Sequence, residues 1–210
     1  MTERPIRMKA HEVRATLAST MTQMRRVVKP AGWDPAGAEY GKQRLGAHPN
    51  APKMGLQAYF HHIESDTWHG VGCPYGQPGE RLWGRETWAQ LGDGDIARKA
   101  TWPDAAHLDD PEPKWRPSAH MPRWASRITL EVTGVRVERL QDISEADAIA
   151  EGITPKWEPG CSGRLMDALG GFSFRPAASA YAELWEQING PGSWDANPWV
   201  WVIEFKRVTA

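Results

Sequence analysis

Ordinary core-forming residues are scarce in this chain: Leu, Ile, Val and Phe together supply 34 of its 210 residues. A fraction that low accompanies disorder when net charge is large. Charge is balanced here, 25 Lys and Arg against 26 Asp and Glu, and 12 Trp residues supply apolar area that the aliphatic count misses. A folded chain with an aromatic-rich core is expected. The lack of a positive excess excludes a globally basic binder, so any nucleic-acid contact has to come from a local patch. No apolar run approaches the ~20 residues of a membrane span, and the start, Met1-Thr2-Glu3-Arg4-Pro5-Ile6-Arg7, has no apolar signal core. No membrane partner is expected, and the expected location is the cytoplasm. Two cysteines, Cys73 and Cys161, are too few for a disulfide scaffold and are expected as reduced thiols.

What is present alternates short periodic segments with Gly-, Pro- and Trp-rich connections. The length fits one domain, 1–210, with insertions near 31–78, 89–122 and 154–175. Val13 and Leu17, one turn apart, predict a helix over 9–18 that breaks at Ser19-Thr20. A strand over 24–28 stops at Lys29-Pro30, and within 31–78 only 56–63 reads as a strand. Residues 80–88 read as a strand in which Gly84 marks a bulge or a close backbone approach. Residues 127–140 give the clearest strand, with Ile128, Leu130 and Val132 on one face; Gly134 shifts the register and Val135 and Val137 resume it. Ser144-Glu145-Ala146-Asp147 is a capping-type helix start, and Gly152 marks its end. A second helix over 177–188 places Tyr181, Leu184, Trp185 and Ile188 on one face, and a final strand over 198–208 aligns Trp199, Trp201, Ile203 and Phe205. The expected class is α+β: a small mixed barrel with two or three flanking helices and long loop insertions.

Residues 113–130 hold Lys114, Arg116, Arg123 and Arg127 with Trp115 and Trp124 and no acid. Basic groups neutralise phosphates and indoles stack on unpaired bases, the pairing that single-stranded nucleic-acid binding needs. The same residues also fit a solvated loop with inward-packed rings. Arg25, Arg26 and Lys29 form a second basic cluster, while Asp104, Asp109, Asp110 and Glu112 read as a solvated acidic loop. His61, His62, His69 and Cys73 fit no paired Cys/His knuckle, so neither metal nor cofactor is expected. Cys161 has no His after it in the chain and reads as a loop thiol. Glu86, in a Leu/Trp-rich strand, needs a partner if buried, for which Arg85 or Arg25 are candidates. Glu151 ends a helix, where the dipole disfavours a carboxylate; burial there would raise its pKa and suit proton transfer.

Four stretches carry a family resemblance: Ser19-Thr20-Met21-Thr22-Gln23-Met24-Arg25-Arg26 with Val27-Val28-Lys29-Pro30, then Cys73-Pro74-Tyr75-Gly76-Gln77-Pro78-Gly79-Glu80-Arg81-Leu82-Trp83, then 116–132, and last Asn189-Gly190-Pro191-Gly192-Ser193-Trp194-Asp195 through Phe205. In these the chain resembles the ASCH-domain proteins of phages and prophages, which implies a PUA-like β-barrel. The family's cleft motif is Gly-x-Lys-x-x-Thr-x-Arg with a Glu from a later helix. In the branch that deacylates N(4)-acetylcytidine, the Lys activates the Thr as nucleophile and the Glu assists proton transfer. Ser19, Met21, Met24 and Arg26 stand at the motif positions and Glu151 matches the helix acid. A thioether is neither base nor nucleophile, so Met21 and Met24 remove that mechanism's two central groups. The resemblance therefore implies a cleft that binds a modified nucleoside or single-stranded nucleic acid. Arg25, Arg26, Glu86, Arg123 and Arg127 would flank the ligand, and Trp83, Trp124 and Trp199 would stack on it. The rival expectation is an amidohydrolase acting on acylated cytosine, and a third is a phage accessory protein without ligand.

Overall fold

The computed structural model describes residues 3–29, 32, 38–40, 46–48, 51–92, 94–102, 112–159 and 172–208. In chain order the elements are β1 (Glu3–Arg7), α1 (Ala10–Leu17), β2 (Gln23–Val27), β3 (Ala38–Tyr40), β4 (Gly46–His48), β5 (Ala51–His62), β6 (Thr67–Gly72), β7 (Arg81–Arg85), β8 (Trp88–Gln90) and β9 (Ile96–Arg98). They continue with β10 (Thr129–Arg139), α2 (Glu145–Ala150), β11 (Lys156–Pro159), β12 (Phe172–Arg175), α3 (Ala177–Asn189) and β13 (Trp199–Val208). Among the described residues the class is mixed α+β, mostly strands with three α-helices. Among the described residues no helix is long and apolar enough to cross a membrane.

The principal sheet has five strands in the order β1-β7-β10-β13-β2, with β1 parallel to β7 and the other pairs antiparallel. The expected barrel closure is not what these strands form: the sheet is open, with β1 and β2 as its edges. Side chains rather than a backbone ladder span that gap. The Arg26 guanidinium, on β2, donates from Nη2 to the Arg7 carbonyl of β1 at 3.0 Å and grips Glu12 of the intervening α1. The strand β1 is not foreseen by the sequence reading, because among its five residues only Ile6 is a buried apolar group.

Alternation sorts the sheet into two faces. Met24, Trp201, Ile203 and Phe205 join Leu130, Val132 and Val137 in the main core. The opposite face carries Val200 and Val202, covered by Ala148 of α2 and by Tyr181 and Trp185 of α3. The register between β10 and β13 shifts between Val132 and Gly134, which keeps Val132 opposite Phe205 and Val135 opposite Ile203. A Cβ at Gly134 would lie 2.5 Å from Glu204 Oε2, so glycine there makes room for that carboxylate. At Gly84 the alternative resolves to a close approach: its pairing with Ile6 is unshifted, and a Cβ would meet Met8 Sδ at 2.7 Å.

The region 31–78 is richer in strands than expected. There β5 pairs with β3, β4 and β6. The Trp68-His69-Gly70-Val71-Gly72 run of β6 has no clean apolar alternation, so its periodicity is silent. The β8–β9 pair, from Trp88 to Arg98, opens the expected second insertion and takes Trp88 from the expected 80–88 strand, and β11 pairs with β12 across the expected third insertion. Cys161 and Asp104, Asp109 and Asp110 lie outside the described residues.

Candidate functional site

A cavity of about 990 Å³ lies where the principal sheet is open. Both edge strands line it, Ile6 and Arg7 from β1 and Arg25 and Arg26 from β2, together with Glu151, Tyr181 and Trp185 from the helical layer.

Local sequence places Glu151. The Ser144 hydroxyl accepts from the Asp147 amide at 3.1 Å, and Asp147 Oδ2 accepts from the Ser144 amide at 3.3 Å, a reciprocal cap that starts α2. The helix ends one residue before Glu151, and Gly152 takes the left-handed conformation (φ 84°) that reverses the chain. Met21 and Glu151 form an isolated antiparallel bridge, so the helix end is tied by backbone to the residue leading into β2. The capping carboxylate of the next helix comes from the same element: Glu145 accepts from the Ala177 and Ala178 amides at 2.8 and 3.1 Å.

Arg25 points from β2 into this layer, and its side chain is fully buried. Its Nη1 donates to Glu151 Oε1, while Nη2 lies 3.0 Å from Glu138 Oε2 and 3.5 Å from Asp147 Oδ2. Arg136 completes the cluster, pairing with Glu138 at 2.5 Å, Asp147 at 2.7 Å and Glu204. Gln23 links both halves, donating to Glu151 at 3.4 Å and accepting from Arg136 at 3.2 Å. Four carboxylates thus face two guanidinium groups. Burial pushes Glu151 above the ordinary carboxylate range, opposed by Arg25 and by hydrogen bonds from Arg25, Tyr181 and Gln23. Burial likewise pushes Tyr181 well above the usual phenol value, with the Glu151 charge adding to it. Asp147 goes the other way: against the upward push of burial, hydrogen bonds from Ser144 and Gln23 and the charge of Arg136 hold it at about 2.

Two further pairs border the cavity. Arg26 meets Glu12 through both nitrogens, at 2.7 and 3.0 Å. Glu86 is paired with neither Arg85 nor Arg25: Arg127 holds it bidentately, both contacts at 2.9 Å, with Arg98 at 4.0 Å.

The positions matched to the family motif separate. Met21 is buried and lines the cavity, with the Thr16 hydroxyl 3.8 Å from its sulfur. Met24 is fully buried in the same main core as Met21 but does not line the cavity. Arg123 is engaged by Glu3 at 2.6 Å and Thr129 at 3.1 Å. Of the three candidate stacking rings, Trp83 is buried beneath Arg85 at 4.6 Å, and Trp199 lies under Arg139 at 4.2 Å while donating to the Ala38 carbonyl. Trp124 is 65 % exposed and meets Trp88 edge-on, which leaves it an open ring face. His61, His62 and His69 share the β5–β6 pair, where His61 contacts Asp66 at 2.8 Å and stacks on Trp68, and His69 contacts Thr67. Glu112 accepts from the Trp115 indole at 2.9 Å. Cys73 is buried, which pushes its thiol up to about 11.

Sequence reasoning misses Gln23, Arg136, Glu138, Asp147 and Trp185 as parts of the site. The legible signal is the period-two placement of Gln23 with Arg25 and of Arg136 with Glu138, polar residues on one face of strands whose other face is apolar. The Trp185 indole nitrogen and Arg25 Nε are both buried without a hydrogen-bond partner among the described residues, and both residues line the cavity. Comparison with family models, with curated proteins and with solved structures finds no match to this chain.

Proposed function

We propose that this protein binds a nucleobase in the cavity at the open side of its principal sheet, in a fold of PUA-like type. The observation that carries the reading is a set of unspent polar groups on residues that line the cavity. A carboxylate offers about four acceptor sites. Glu151 receives Arg25, Gln23 and Tyr181, which leaves it one acceptor position. The Trp185 N–H and Arg25 Nε–H are donors with nothing to donate to. One acceptor and two donors match in number and kind the edge of cytosine, which presents an amino donor next to ring-nitrogen and carbonyl acceptors. Met21 supplies a soft apolar contact for a flat ring.

Recognition without hydrolysis fits the same lining. Met21 stands where the resemblance places the activating amine, and Met24 faces the core. The hydroxyl bonded to Glu151 belongs to Tyr181, whose raised pKa makes it a poor nucleophile. The ligand is a modified nucleoside or an unpaired base of a strand, for which the open face of Trp124 offers a second stacking point.

Titrating the full chain with N(4)-acetylcytidine and with cytidine, followed by tryptophan fluorescence and by chromatography of the nucleosides, tests this reading. Saturable binding without enzyme-dependent release of cytidine is expected. Trp185→Phe should weaken binding roughly tenfold, the loss of one hydrogen bond of ~1–1.5 kcal/mol. Turnover would replace the binding reading by the amidohydrolase reading; absence of binding to either nucleoside would remove both.

A further inference from the structure

We infer that the nucleoside this cavity takes is phosphorylated, with its base at the Glu151 wall and its phosphate at a cationic rim. The inference rests on the base-binding reading and adds the ligand's charge. Six basic side chains line the cavity, Arg7, Lys9, Arg25, Arg26, Lys29 and Lys99, against three carboxylates, Glu12, Glu86 and Glu151. The chain as a whole carries −1, so the excess of positive charge is local.

The two kinds of charge are also placed differently. Each carboxylate is buried and already held by an arginine: Glu12 by Arg26, Glu86 by Arg127 and Glu151 by Arg25. Among the described residues Arg7, Lys9, Lys29 and Lys99 pair with no carboxylate, and all four are solvent-exposed. The floor is therefore neutralised within itself and the rim is not. Ala10 and His11, in the first turn of α1, open onto the same cavity, and the amide end of a helix favours an anion. His11 adds no charge at neutral pH, because burial lowers its pKa.

A neutral nucleoside uses the floor and leaves the rim idle. A phosphate ester uses both, since mobile ammonium groups at a cavity mouth bind phosphate as point charges and raise the local concentration of anions. The volume of about 990 Å³ lies at the upper end of ligand pockets, which gives room for sugar and phosphate beyond the base. A free nucleotide and the 5′-phosphorylated end of a strand share this chemistry.

The test compares cytidine, cytidine 5′-monophosphate and inorganic phosphate as ligands of the full chain at low and high salt, read by tryptophan fluorescence and calorimetry. The monophosphate is expected to bind at least tenfold more tightly than cytidine, with the advantage shrinking as salt rises. Lys9→Ala with Lys29→Ala should lower monophosphate affinity to that of cytidine and leave cytidine itself unchanged. Both side chains are exposed, and circular dichroism verifies that the variant folds; Lys29→Glu is a second variant that should weaken the monophosphate more strongly. Equal affinities for cytidine and its monophosphate, or a variant that weakens both alike, would overturn the inference while leaving base binding intact. Binding of inorganic phosphate as tight as the monophosphate, with none of cytidine, would overturn the base-binding reading as well. A 5′-phosphorylated trinucleotide binding more tightly than the monophosphate would identify the ligand as a strand end; the reverse order would identify a free nucleotide.

Discussion

On one face of the principal sheet Met24, Trp201, Ile203 and Phe205 pack against other apolar groups; on the other, the same two strands present Gln23, Arg25 and Glu204 to a cluster of charges built around the buried Arg25–Glu151 pair. The first face stabilises by removing apolar area from water, about 25 cal/mol per Å². The second gains little net stability, because desolvating charges costs about what their pairing returns. What an ionic layer does supply is position. Arg25 is held by three carboxylates and its own strand, and it in turn holds Glu151 at the cavity wall. The dry face makes the sheet; the ionic face aims a side chain.

The largest expected effect breaks the ionic face. Arg25→Met leaves Glu151, Glu138 and Asp147 without their shared cation and should cost about 3–5 kcal/mol in urea unfolding. Ile203→Val, directly across the sheet, should cost about 0.5–1.5 kcal/mol. Adding Glu151→Leu to Arg25→Met should recover part of the loss, since the second change removes a stranded charge. If the double variant is less stable than Arg25→Met alone, the coupling assigned to this pair is wrong.

Next in size is Met24→Thr, which removes apolar volume from the dry face and buries a hydroxyl, for a loss of about 2–3 kcal/mol. The same substitution should leave nucleoside affinity unchanged, because Met24 does not line the cavity. A shift in affinity without a shift in stability would reverse the assignment of Met24 to the core.

Acid titration separates two carboxylates within the ionic face. Asp147 has a folded pKa of about 2, below its unfolded value near 4, so its contribution is present above pH ~4 and is lost as pH falls through about 2. Glu151 is raised, so its linkage has the opposite sign: its contribution is present below the ordinary carboxylate range and is lost as pH rises through its folded value. Urea midpoints measured from pH 2 to 7 should show an acid limb that Asp147→Asn flattens. An unchanged limb would mean that Asp147 does not couple to folding.

The smallest effect concerns the thiol on the dry side. Burial holds Cys73 at about 11, so iodoacetamide at pH 7.5 should leave it unmodified in the folded chain and alkylate it in urea, as read by peptide mass spectrometry.

Local signals account for much of the fold. The Ser144 cap, Gly152 and the apolar pair Val13 and Leu17 bound helices close to where they are expected, because caps and periodicity act within one or two turns. The shift at Gly134 is legible for the same reason. Strand β1 is not: its single buried Ile6 gives no alternation, and its structure comes from parallel pairing with β7, 78 positions later in register. Glu86 shows the limit for the site. Its burial is readable from its apolar neighbours, but its partner is Arg127, 41 residues away, rather than Arg85 or Arg25.

Composition, strand periodicity and capping residues are properties of neighbours along the chain, and they determine that this protein is a mixed α+β fold with an aromatic-rich core. Only the tertiary structure decided that the sheet stays open, that Met21 lines the cavity while Met24 does not, and that Arg25 meets Glu151 across 126 residues. Charges find partners by distance in space, and no local rule of sequence encodes which distant carboxylate a buried arginine will reach.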